Sequence, residues 1–310
     1  MKLSVVTTLY YSESYLEEFC KRCFASARQI TQDVELILVN DGSPDNSLLQ
    51  ALEIQKKMHS IKIIDLSRNF GHHKAIMTGL SFAQGDYVFL IDCDLEEAPE
   101  LLDVFWPNIV NHSVDVVYGV QRNRKGQWFE RFSGQLFYQF FKRISSLDYP
   151  ADSLTARLMT RQYVQSVLSF REKELDIWGV FVLTGYNQKA VVVEKGHKGS
   201  STYTLSRKVR MAIEVITTLS HRPLYLTFLF GVIFLSLSFV SILVILSKKY
   251  LQQTVEGWAS IMALIWFVGG VILFVLGIFG IYLSKIFLEV KNRPLTVIKE
   301  IYPPGDGSKA

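Results

Sequence analysis

GDYVFLIDCDLEEAP, residues 85–99, turns at Gly85-Asp86, runs apolar through Tyr87–Ile91 and stops on two carboxylates, Asp92 and Asp94. A short apolar run bounded by turn formers reads as a buried strand. Fully extended backbone would point both carboxylates to one face. The same texture recurs outward from this stretch. Leu3–Thr7, Glu35–Val39 and Ile61–Leu66 are short apolar runs rich in β-branched residues, and Val114–Gly119 and Ala190–Val193 are further candidates. Helical stretches lie between several of them, at Glu13–Ala27, Ser47–Met58, His73–Ala83 and Pro99–Val110. Strands alternating with helices imply an α/β domain with a mostly parallel sheet covered on both faces. Ligands of such sheets bind beyond the carboxyl ends of the strands.

The residues just beyond each strand are therefore the place to look for chemistry. After the second strand comes Asn40-Asp41-Gly42-Ser43-Pro44-Asp45. An aspartate there can hold a nucleotide's base or ribose hydroxyl, and the same residues also suit a plain turn. After the third comes Ser67-Arg68-Asn69-Phe70-Gly71-His72-His73, where Arg68 can meet a phosphate beside a helix N-terminus. The adjacent histidines read as a solvated loop pair. After the fourth come Asp92 and Asp94, hard oxygen ligands suited to Mg²⁺ or Mn²⁺. A bridging cation would stabilise the charge on a departing nucleoside diphosphate.

Lys+Arg number 33 against Asp+Glu 29, a net charge of +4 that gives no argument for nucleic acid as a partner. The three cysteines offer no second pair beside Cys20-x-x-Cys23, so neither a zinc site nor a disulfide framework is expected. Cys20 and Cys23 are expected to be buried or half-buried thiols, and the odd count fits a reducing compartment. The apolar run after Met1-Lys2 is too short for a secretory signal, so the first domain is expected to stay on the side where it is made.

Two long apolar runs, Leu224–Leu246 and Trp258–Leu283, each exceed the ~20 residues that a membrane-spanning helix needs. The short connector Ser247–Gly257 makes them a hairpin. Arg207, Lys208, Arg210 and Arg222 precede the first run, and Lys285, Lys291, Arg293 and Lys299 follow the second. The positive-inside rule then places both termini in the cytoplasm. Gly269, Gly270, Gly277 and Gly280 permit close helix approach. Gln127–Leu147 carries an aromatic face suited either to the membrane interface or to the domain's own core. Ser206–Ser220 reads as a juxtamembrane amphipathic helix. The polar loop His197–Tyr203 can close over substrates or simply be a surface loop. The tail after Pro303 is expected to be disordered.

An ordered set of segments carries a resemblance: SVVTTLYYSE (Ser4–Glu13), ELILVNDGS (Glu35–Ser43), SRNFGHHKAIMTG (Ser67–Gly79), the stretch Gly85–Pro99, GVQRNRKG (Gly119–Gly126) and KNRPL (Lys291–Leu295). Together with the paired apolar runs, they make the chain resemble polyprenyl-phosphate glycosyltransferases of the GT-A, family 2 kind, related to dolichol-phosphate mannose synthase and bactoprenol glucosyltransferases. The resemblance implies a Rossmann-like GT-A domain over 1–204, a juxtamembrane helix over 205–222, two transmembrane helices within 223–286 (about 224–246 and 258–283) and a cytoplasmic tail over 287–310. It implies that Tyr10, Glu13, Asp41, Arg68 and Asp92 meet the nucleotide sugar. Asp92 and Asp94 would be catalytic and hold Mg²⁺ or Mn²⁺, and Arg122, Arg124, Lys125 and Arg131 would meet the lipid phosphate. The partners implied are a nucleotide sugar (a UDP-sugar is expected), undecaprenyl (polyprenyl) phosphate and membrane lipids. Inversion at the anomeric carbon, a bacterial cytoplasmic-membrane location and a homo-oligomer such as a tetramer are also implied.

Several positions depart from the family pattern, and Asp94-Leu95-Glu96-Glu97-Ala98-Pro99-Glu100 stands where the family reads D-L-Q-x-P-P-E. Thr8 and Tyr11 stand where proline and asparagine are usual. Leu154-Thr155-Ala156-Arg157-Leu158-Met159 stands where many relatives read G-D-F-R-L-M. Thr155 thus replaces an aspartate, and Asp152 or Thr155 is expected near the donor sugar. The acceptor is a phosphate monoester whose second pKa is about 6, already anionic at neutral pH, so no strong general base is required. Two other readings stay open. A non-catalytic membrane scaffold that binds nucleotide sugars is compatible with the departures. A polysaccharide synthase would need more spans and a Q-x-x-R-W motif, which the sequence lacks.

Overall fold

Every residue of Val34–Asn40 is buried, as a strand covered on both faces must be. The computed structural model describes residues 1–112, 114–121, 153–173, 176–193, 222–250 and 257–305. In it this strand, β2, lies between β1 (Leu3–Leu9) and β3 (Ile61–Leu66) and runs parallel to both. β4 (Tyr87–Leu90) pairs in parallel with the other side of β1. Beyond it come β6 (Ser153–Thr160), antiparallel to β4, then β5 (Val116–Gln121) and β7 (Gln188–Val193), which are parallel to each other. The far edge is β8 (Ile298–Tyr302), antiparallel to β3. The order is β7-β5-β6-β4-β1-β2-β3-β8, so the expected mostly parallel α/β sheet is present. The chain moves from β1 to β3 in one direction, and β4 then returns to the opposite side of β1. Ligands of open α/β sheets bind at the carboxyl ends around such a reversal.

Side chains alternate between two cores, as the period of an extended strand requires. Val5, Leu36, Leu38, Ile63 and Phe89 face α1 (Leu16–Ile30), α2 (Ser47–Lys57) and α4 (Leu101–His112). Val6, Ile37, Val39, Ile64 and Leu90 face α3 (His72–Phe82), α5 (Arg161–Ser169) and α6 (Ile177–Leu183). Phe89 meets Phe105 of α4 edge-on, with ring centroids 6.3 Å apart. Burying one such ring contributes about 1.5–3 kcal/mol. Cys20, Cys23 and Cys93 are free and buried, as expected of the first two, and burial pushes the Cys20 thiol up to about 12.

Two strands escape the sequence pattern. β6 places Arg157, fully buried, in the middle of an otherwise apolar run. Its guanidinium stacks 3.6 Å from the Phe181 ring and 4.9 Å from that of Trp178. Burial draws it down to about 10, the cost of holding a cation away from water. β8 lies within 287–310, the stretch expected to be a cytoplasmic tail. Its Lys299 and Glu300 hide the pattern, but main-chain pairing with β3 does not depend on them. Gln55 Nε2 lies 2.9 Å from the carbonyls of both Ile61 and Pro303. Lys299 pairs with Asp65 at 3.5 Å. The unit holding the sheet therefore includes the segment from Arg293 onward and does not end at 204.

A second unit contains α7 (Arg222–Tyr250) and α8 (Trp258–Val290), which touch each other. Among the described residues, one stretch is long and apolar enough to cross a membrane, the 24 residues Phe267–Val290. Leu224–Ile233 of α7 is a shorter apolar segment. Leu273 and Phe274 are about 70% exposed, which a soluble helix avoids at such density. The expectations for Gln127–Leu147, Asp152, His197–Tyr203, Ser206–Ser220 and 306–308 lie outside the described residues.

Candidate active site

The loops after β1, β2, β3 and β4 converge through side-chain hydrogen bonds. Asp41 follows β2 and is 2% exposed. Its two oxygens accept the main-chain N–H of Phe70 (2.7 Å) and of Gly71 (3.0 Å). Burial raises its pKa, against the pull of those two N–H groups and of the nearby His72 and Arg68. The adjacent Gly42 has φ +59°, and a Cβ there would come within 2.5 Å of the Arg68 and Asn69 main chain. Asp41 and Gly42 thus fasten the β2 loop to the β3–α3 loop.

That fastening delivers His72, the first residue of α3, to the point of strand-order reversal. Its Nε2 lies 3.4 Å from Asp92 Oδ1, and its Nδ1 is hydrogen-bonded to Thr8 Oγ1 of β1 at 3.1 Å. The other Asp92 oxygen, Oδ2, accepts the Thr155 hydroxyl of β6 at 2.8 Å. The Asp92 side chain remains 29% exposed and that of His72 43%, so both present a face to an incoming molecule. His73 is engaged as well, its Nδ1 standing 3.5 Å from the Ile177 N–H. The pair is thus solvated in part, His72 exposed and His73 half-buried, while both rings also have partners within the fold. Adjacent polar residues carry no pattern that distinguishes the two cases. The informative sign is their place, at the start of a helix beyond a strand's carboxyl end.

β4 ends at Leu90, so Asp92 and Asp94 sit in a turn and the one-face argument from an extended strand does not hold. Asp94 is half-buried, and its Oδ1 accepts the Glu96 N–H at 3.0 Å. Leu95 has φ +61°, uncommon for a side chain of its size. Glu97, which no sequence pattern singles out, is buried and accepts the N–H groups of Thr155 (3.2 Å) and Ala156 (2.6 Å). It ties the acidic loop to β6.

The remaining sequence candidates divide. Tyr10 is 48% exposed at the end of β1, its ring edge-on to Tyr11 at 4.8 Å, and Tyr11 has φ +54°. Glu13 spends its carboxylate on the N–H (3.3 Å) and side-chain amide (3.2 Å) of Asn46, at the start of α2. Arg68 is exposed, stacked 4.3 Å over Phe70. A cavity of about 820 Å³ is lined by Tyr11, Glu13, Glu17, Glu18 and Asp45 among others, but by neither Asp92 nor Asp94. Four carboxylates and Lys21 line it. Arg122, Arg124, Lys125 and Arg131 lie outside the described residues.

Residues 4–168 match the family described as Glycosyl transferase family 2. A protein of Mycobacterium tuberculosis (strain CDC 1551 / Oshkosh), named as a glycosyltransferase with no substrate given, is 44% identical over 303 residues, 97% of this chain and 89% of its own. The undecaprenyl-phosphate 4-deoxy-4-formamido-L-arabinose transferase of Aeromonas hydrophila subsp. hydrophila is 27% identical over 311 residues, 96% of this chain and 93% of its own. Among solved structures, glucosyl-3-phosphoglycerate synthase from Mycobacterium tuberculosis, in complex with Mn²⁺, uridine diphosphate and phosphoglyceric acid, aligns with TM-score 0.49 at 16% identity, over 70% of this chain and 77% of that one.

Proposed function

The chain belongs to glycosyl transferase family 2, and on that premise we propose that it transfers a sugar from a UDP-sugar to undecaprenyl phosphate, or a similar polyprenyl phosphate, at a bacterial cytoplasmic membrane. The observation that carries the reading is the partly exposed Asp92 carboxylate, presented where the strand order reverses. The lipid acceptor is supported by the undecaprenyl-phosphate transferase that matches across 96% of this chain and by the apolar stretch Phe267–Val290. In this reading α7 and α8 form a membrane hairpin, with the sheet-bearing unit and both termini on the cytoplasmic side. The reading includes a homo-oligomer, for which Gly269, Gly270, Gly277 and Gly280 of α8 permit close helix approach.

Tyr10, Arg68 and Asp92 hold the nucleotide sugar, with Asp41 and Glu13 acting through the loops they fasten. Arg122, Arg124, Lys125 and Arg131 hold the lipid phosphate. A phosphate oxygen attacks the anomeric carbon from the face opposite the nucleotide. The bond from that carbon to the diphosphate breaks, its electron pair leaves with the nucleoside diphosphate, and the configuration inverts. The acceptor oxygen is already anionic, so the chain's task is positioning and charge stabilisation.

The residues present fit a divalent cation. Asp94 and Asp92 offer hard carboxylate oxygens, and among the described residues no group of three or more acidic, histidine or cysteine side chains stands ready to enclose an ion. One or two carboxylates completed by substrate phosphates is the usual arrangement for Mg²⁺. When bound, Mg²⁺ or Mn²⁺ would offset the charge gathering on the departing diphosphate.

The test is transfer of radiolabel from a panel of UDP- and GDP-sugars to undecaprenyl phosphate by the full chain in detergent. The expected result is lipid-extractable label from one UDP-sugar, lost on adding EDTA. Folded protein that labels no lipid from any donor would refute the reading.

A further inference from the structure

We propose that Thr155 and His72 are positioning residues that brace the two oxygens of Asp92 for the nucleotide sugar. Position 155 then works as a hydrogen-bond donor, where the resembled family carries a carboxylate. The inference rests on the donor-binding role proposed for Asp92 and deepens it.

The brace is built from both sides of the strand-order reversal. On one side, β6 brings Thr155, whose buried hydroxyl donates to Asp92 Oδ2 at 2.8 Å. Thr155 is itself held, because Glu97 accepts its N–H and that of Ala156. The loop from Asp92 to Glu97 is therefore pinned to β6 at both ends, once through each acid. On the other side, His72 Nε2 stands 3.4 Å from Asp92 Oδ1. The ring is oriented by Thr8 through Nδ1, and its backbone is set by the grip of Asp41 on Gly71. A ring nitrogen committed to a partner leaves the other nitrogen with a defined task. Thr8 and Thr155 are both positions at which this chain departs from the family pattern, and both belong to the same four-residue chain, Thr8–His72–Asp92–Thr155. An aspartate at 155 would put a second negative charge at hydrogen-bond distance from Asp92, where like charges repel. The threonine and the histidine together remove that conflict.

The test uses the full chain in detergent. UDP-glucose and UDP-N-acetylglucosamine are titrated calorimetrically with MgCl₂ present, and donor KM and kcat are measured for transfer to undecaprenyl phosphate. Thr155→Val preserves shape and removes the donor, and should weaken donor binding about tenfold, the scale of a hydrogen bond to a charged group. Thr155→Ser should return to within about threefold of wild type, and Thr155→Asp should bind no better than Thr155→Val. His72→Leu should behave like Thr155→Val, with partial recovery in His72→Gln, which keeps an amide N–H near the Nε2 position. In an Asp92→Asn background the Thr155→Val effect should shrink below about threefold, because the charge it braces is gone. Thr155→Val that lowers only the melting temperature, an undiminished effect in the Asp92→Asn background, or tighter binding by Thr155→Asp would each overturn the brace. Wild-type protein that is folded yet neither binds a nucleotide sugar nor transfers one would end the functional reading and the brace with it. Wild-type binding that is indifferent to Thr155 and His72 would end the brace alone.

Discussion

Asp41 and Asp92 occupy equivalent stations, each just beyond the carboxyl end of a parallel strand, yet the fold uses them differently. Asp41 is 2% exposed and both its oxygens hold main-chain N–H groups of the next loop. Asp92 keeps 29% of its side chain open, and its oxygens meet a hydroxyl and an imidazole. Main-chain partners cannot move without moving the loop, so Asp41 sets geometry. Side-chain partners hold Asp92 while leaving one face of it open, so Asp92 is placed for chemistry. The same residue type at the same kind of position becomes scaffold or site according to what satisfies its lone pairs.

Substitutions that trade these roles would break the comparison. The largest effect is expected at the acidic turn, where Asp94→Ala should lower transfer by about 10²–10³-fold, with Asp92→Asn close behind. Melting temperatures in both should stay within a few degrees of wild type, as expected for changes worth about 1 kcal/mol of stability or less. Asp41→Ala should do the reverse in kind. It orphans the N–H groups of Phe70 and Gly71 and should cost about 2–4 kcal/mol, seen as a clear drop in melting temperature. An Asp41→Ala chain that melts like wild type would erase the distinction. Gly42→Ala sharpens it, since a methyl group 2.5 Å from the Arg68 main chain at φ +59° should cost about 1–3 kcal/mol. The smallest effect concerns acid. Burial works against the charge on Glu35, but the Lys2 ammonium at 2.8 Å, the Ser4 hydroxyl and the Gln84 N–H outweigh it and lower its pKa. A depressed carboxyl contributes stability above its ordinary value of 4.5 and loses it as pH falls through the folded value. Glu35→Gln should therefore flatten the fall in melting temperature below pH 4.5; an unchanged slope would contradict the assignment.

The central strands are legible in the sequence because burial on both faces leaves continuous apolar runs, and the run Ile61–Leu66 coincides with β3 to the residue. Strand β6 is not, because no periodicity announces an arginine satisfied by the rings of Phe181 and Trp178. Strand β8 is hidden for the opposite reason: five residues at an edge need only main-chain pairing and can carry lysine and glutamate outward. At the site, Asp41, Asp92 and Asp94 stand out through their place after strands. The roles of His72, Thr8, Thr155 and Glu97 do not. They act through neighbours far away in sequence, Thr155 on Asp92 across 63 residues, and such pairings exist only once the sheet is assembled.

The most direct test is the binding isotherm of UDP-N-acetylglucosamine or UDP-glucose, whichever wild type binds, for Asp92→Asn beside Asp41→Asn, each held below its own melting temperature. The account predicts that Asp92→Asn weakens binding about tenfold or more at near wild-type stability, while Asp41→Asn melts earlier and, where folded, binds far closer to wild type. Unaltered donor binding by a folded Asp92→Asn chain would contradict it.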